Sequence, residues 1–129
     1  MKTTLFLTLC SLLLCAPVQA QNDHGGRKIE FGDVLVCDTQ EQVERYVTLY
    51  KGDQEAAVHA VNREENNPTA CGIASAAFVR GPQTATARAE NLAFEIVRIL
   101  VLGLDSQDGF RPVQPAPYFT AFGVTEYHV

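Results

Sequence analysis

The chain is poor in the residues that chemistry usually draws on, and each shortage bears on a class of function. Serine occurs only at positions 11, 75 and 106. Ser75 lies in Gly72-Ile73-Ala74-Ser75-Ala76, which lacks the flanking glycines of a nucleophile elbow. Histidine occurs only as His24, His59 and His128, scattered at no metal-ligand spacing. No glycine-rich phosphate loop is present, and the acidic run around Asp105 and Asp108 has the wrong spacing and no closing glutamate for a calcium loop. Basic residues form no run, and the net charge is −5, which argues against nucleic acid and anionic lipid surfaces as partners. There is no Asn-x-Ser/Thr acceptor, since Asn67 is followed by Pro68. Beyond the first twenty residues, no apolar run reaches the roughly 18 residues of a membrane span.

Cysteine is also scarce, and its placement is informative. Of the four cysteines, Cys10 and Cys15 fall in residues 1–20, which run from Lys2 through an apolar core to Val18-Gln19-Ala20 and read as a cleavable export signal. Acylation at Cys15 would require a small residue before it, where Leu14 stands. Removing the leader takes away one positive charge, makes the remainder more acidic, and leaves roughly 110 residues, enough for one domain with one modest core. Cys37 and Cys71 are then the remaining thiols, and in an exported chain they are expected to form a disulfide in an oxidising compartment, periplasmic or extracellular. The closed loop would contribute about 4 kcal/mol by the chain-entropy estimate.

Residues 21–28 are polar and glycine-containing, without periodicity, and read as a flexible tail ahead of a single domain over 29–129. His24 would complete a copper or nickel site only if cleavage made it the third residue of the mature chain; cleavage after Ala20 makes it the fourth. The pattern alternates loosely from Ile29, and Val34-Leu35-Val36 reads as a short first strand. Asp38 and Thr39 then offer N-caps with Glu41 and Gln42 in capping-box position. Val43, Tyr46, Val47 and Tyr50 form the apolar stripe of a helix. Gly52 and Asp53 break it and start a second helix, whose stripe is Ala57, Val58 and Val61 and whose end is Asn66-Asn67-Pro68. His59, with Glu55 and Arg63 four residues to either side, falls on the solvated face of that helix.

Downstream, residues 71–80 read as a strand, 81–91 as a turn and polar loop, and 92–104 as a central strand apolar on both faces. Residues 105–109 read as a tight hairpin connection. Pro112, Pro115 and Pro117 are expected to prevent regular pairing until a last strand over 118–126. The fold expected is α+β, a two-helix hairpin packed on a small antiparallel sheet of about four strands, with an SH3-like, partly open barrel as the alternative.

The segments CDT, EQVERYVTLYKGD, AVNREEN, ACGIASAAFVRG, FEIVRILVLGL and YFTAF, spread over residues 34–126, resemble a group of small exported bacterial proteins of unknown function. The resemblance implies a periplasmic address and adds no activity, so no catalytic residue is carried over from it; no cofactor or metal ligand is expected from the residues themselves. The function expected is that of a non-enzymatic binding or structural domain of the cell envelope. One alternative is an inhibitor or regulator of an exported enzyme, presenting residues 81–91 as a loop; the other is a small enzyme whose site assembles only in three dimensions.

The candidate interaction residues are Arg98, Tyr118, Phe119 and Phe122. Arg98 is the one charge on its strand face, with Leu92, Phe94, Ile96 and Leu100; it is expected to snorkel to the sheet rim rather than to bind a ligand, and if buried it needs a partner such as Glu126 or, less well placed, Glu95. Residues 118–124 carry aromatic side chains on both faces, more apolar surface than one helical hairpin can cover. Either the sheet curls to close its second face on itself, or that face meets a protein partner or a second copy of the chain.

Overall fold

Thr39 starts the first helix in the manner its neighbours dictate: its hydroxyl accepts from the Gln42 N–H while the Gln42 carboxamide accepts from the Thr39 N–H. Asp53 caps the second helix through the Ala56 N–H. In the computed structural model, which describes residues 27–90 and 92–124, these helices, α1 (Gln40–Leu49) and α2 (Gln54–Glu64), are inserted between strands β1 (Glu30–Cys37) and β2 (Cys71–Ala89). Strands β3 (Leu92–Ser106) and β4 (Gly109–Val124) follow as a meander. The expected leader, most of the expected tail, and His24, Glu126 and His128 lie outside the described residues.

All neighbouring strands are antiparallel. The last link returns to the first at a single pair, Cys37 opposite Phe119. The four strands thus make a ring of hydrogen bonds closed at one position, an α+β arrangement rather than a regular barrel. The tight connection after β3 is a two-residue turn between Ser106 and Gly109, and Gly109 has φ +101°, which suits glycine.

Alternation along the strands sends side chains into two cores. On one face Leu35, Cys37, Ala89 and Ile96 meet Val43, Tyr46 and Val47 of α1 and Ala57, Val58 and Val61 of α2. On the other, Val34, Ala76, Phe78, Val97, Ile99 and Val101 pack together with the half-buried Tyr118 and Phe122, without any helix. The curl of the sheet closes this second face on itself.

The helical excursion is fastened at its ends. Cys37 and Cys71 stand opposite one another in the β1–β2 register and are joined by a disulfide, with Cα atoms 4.1 Å apart. Next to it, the buried Asn62 side chain accepts from the Cys71 N–H at 2.8 Å and donates to the Cys71 and Pro68 carbonyls, both at 3.0 Å. At this end β2 has no strand on its far side, and the Asn62 carboxamide takes the place of one.

Two expectations are corrected. Residues 81–89 are strand, not loop: β2 continues past Gly81 and Pro82 through register slips between Arg80 and Gln83 and between Gln83 and Ala85. Such bulges accommodate a proline that cannot donate. The three prolines of β4 do not stop its pairing with β3, because they fall where β4 has a neighbour on one side only, and a bulge near Val101 and Gly103 absorbs the mismatch. Arg98, in contrast, is exposed as a snorkelling side chain would be, because the helices cover its strand face at Ile96 and no further. It has no ion pair with Glu95 or any other described residue.

Candidate binding groove

Beyond the reach of the helices, the outer face of the β2–β3 pair holds an open groove of about 690 Å³. Its shape begins with glycine. A Cβ on Gly81 would lie 2.6 Å from the Arg98 carbonyl oxygen, so the two strands approach this closely only because position 81 has no side chain. Ile29, Val79, Leu100, Leu102 and Pro117 make the walls apolar. Leu100 and Ile29 are 39% and 51% exposed.

Three arginines, Arg27, Arg80 and Arg98, line the same groove. They are not equivalent. The Arg80 guanidinium grips the Glu30 carboxylate with two bonds of 2.6 and 2.9 Å and lies 3.6 Å from the centre of the Phe122 ring. This hydrogen-bonded pairing, more than the charge alone, holds the Glu30 carboxyl below its usual range against the opposing effect of burial. Arg80 is therefore partnered and fixed, whereas Arg27 and Arg98 are exposed and make no ion pair among the described residues.

Two other hollows differ in character. One, of about 610 Å³, opens at the seam where β1 and β4 diverge, between Val36, Val113 and Tyr118. The other, about 570 Å³ and more polar, lies beside His59, Asn62 and Asn67 at the end of α2. Glu55, His59 and Arg63 are all exposed, as their spacing implies. Among the described residues no group of three histidine, cysteine or acidic side chains could hold a metal ion. Ser106 donates to the Gly109 carbonyl within its turn, and Ser75 is exposed on β2.

The four candidate interaction residues do not form one surface. Arg98 lines the groove, and Phe119, its partner in the β3–β4 register, packs against the helix-covered core. Tyr118 and Phe122 belong to the closed inner cluster, and Tyr118 also borders the seam. The residues that sequence reasoning missed are Ile29, Arg27 and Gly81; the shared parity of Arg98 and Leu100 was the one available signal. Compared with protein-family models, curated proteins and solved structures, the chain matches none. No helix among the described residues is long and apolar enough to cross a membrane.

Proposed function

We propose that the chain is an exported, disulfide-bonded binding domain of the cell envelope, periplasmic or secreted, that works by holding a partner in the groove on its outer sheet face rather than by catalysis. One observation carries this reading. The inner apolar face is closed by the curl and part of the outer face is covered by helices, yet Ile29 and Leu100 remain in water around a concave, arginine-bearing surface. The disulfide supports an oxidising compartment. The inhibitor alternative has lost the loop it relied on, since residues 81–89 are paired strand.

A photo-reactive side chain placed at position 100, compared with one at the exposed His59, tests the reading in intact envelope. Cross-linking concentrated at position 100 is expected. Equal labelling at both positions, or none at 100, would count against the groove as the working surface.

A further inference from the structure

We infer that the groove's occupant is an amphiphile with an anionic head, of the long-chain carboxylate class; this rests on reading the groove as the working surface. The first ground is charge. The chain has a net charge of −5 and only ten lysines and arginines, yet Arg27 and Arg98 both line this one groove, and no acidic residue among the described ones does. Arg80 is already matched by Glu30, which leaves Arg27 and Arg98 to face a ligand anion. Arginine suits a carboxylate because its planar fork can bind both oxygens.

The second ground is what the floor lacks. Along the groove β2 and β3 spend most of their backbone N–H and C=O groups on each other, interrupted at the bulges around Gly81 and Gln83 and at the slip between Ala77 and Phe78 that leaves Leu102 without a register partner. An extended peptide laid on Val79, Leu100 and Leu102 would bury its own amides against apolar side chains without partners, at a cost of roughly 1–3 kcal/mol for each group. An alkyl chain carries no such groups. The volume of about 690 Å³ falls within the roughly 300–1,000 Å³ usual for small-ligand sites. An acidic chain is repelled from an anionic membrane surface as a whole, so a single ligand molecule drawn into a local cationic groove fits the charge distribution better than a bilayer does.

The test is calorimetric titration of the oxidised chain from residue 21 with monomeric dodecanoate, beside dodecyltrimethylammonium, acetate and vesicles of anionic phospholipid. Saturable binding of dodecanoate alone is expected. Arg98→Gln should weaken it about tenfold, Leu100→Asp should abolish it, and His59→Gln should leave it unchanged; circular dichroism verifies that each variant is folded. No saturable binding, binding shared with the cationic amphiphile and indifferent to Arg98→Gln, or binding to vesicles without monomeric dodecanoate would each overturn the inference. If dodecanoate fails while cross-linking at position 100 persists, the ligand class falls and the binding-domain reading stands. Loss of both removes both.

Discussion

Asn62 illustrates how one polar side chain can hold two elements together. It replaces a missing strand at Cys71, so Asn62→Ala would leave the Cys71 N–H and carbonyl without their partner. Each unsatisfied buried group costs roughly 1–3 kcal/mol, and a loss of about 3 kcal/mol in denaturant unfolding is expected. Its importance was half legible: it follows Val58 by four residues and so extends the apolar stripe of α2, but no local pattern announces that Cys71 lies opposite. Thr120 shows the reverse case. It is fully buried among apolar neighbours and its hydroxyl has no hydrogen-bond partner. Thr120→Val keeps the shape, removes that burden and should raise stability by about 1 kcal/mol, measured in the same way.

Tyr46 adds a pH signature. Burial first, and the neighbouring Tyr50 second, push its phenol up to about 12 from a normal value of 10.0. In the unfolded chain the phenol ionises near pH 10, while in the fold it keeps its proton to about 12. Stability from this residue is therefore complete below pH 10 and declines by about 1.4 kcal/mol per pH unit as pH climbs toward 12. Unfolding measured across that interval should lose this slope in Tyr46→Phe.

At the scale of elements, the disulfide and the helical hairpin act as one device. The cross-link spans a sequence separation of 34 residues and contains both helices. Reduction is expected to lower stability by about 4 kcal/mol, with amides of α1 and α2 showing the largest rise in hydrogen exchange. An exposed two-bond pair between Arg45 and Glu64, both bonds 2.7 Å, links the helices directly. The hairpin was legible because its determinants are local: Thr39 with Gln42, Asp53, and the two stripes. The long strands were less so. Gly81 and Pro82 punctuate a sequence as a turn does, yet here they form a bulge inside one 19-residue strand. Proline in β4 reads as a break until it is known that most of β4 has an open side. Arg98 is similar, since alternation assigns it a face but not where the helices stop covering that face.

For the whole molecule, the question raised by the sequence was where the surplus apolar strand faces go. The inner cluster answers it for Val97, Ile99, Val101, Tyr118 and Phe122, which the curl buries within one chain. Phe119 packs on the helix side and provides the single pair that closes the ring. Phe119→Asp should therefore unfold the monomer instead of releasing folded monomers from a dimer, with a loss of about 3 kcal/mol or more. Closure also leaves, among the described residues, the groove beside Leu100 with apolar walls and with Arg27 and Arg98 outside any ion pair, and the proposed function depends on it. Native mass spectrometry of the oxidised chain from residue 21, mixed with dodecanoate, tests this most directly. The account predicts a monomer, two hydrogens lighter than the reduced chain, carrying one dodecanoate that is absent from Leu100→Asp. A ligand-free dimer that Leu100→Asp splits into folded monomers would contradict it.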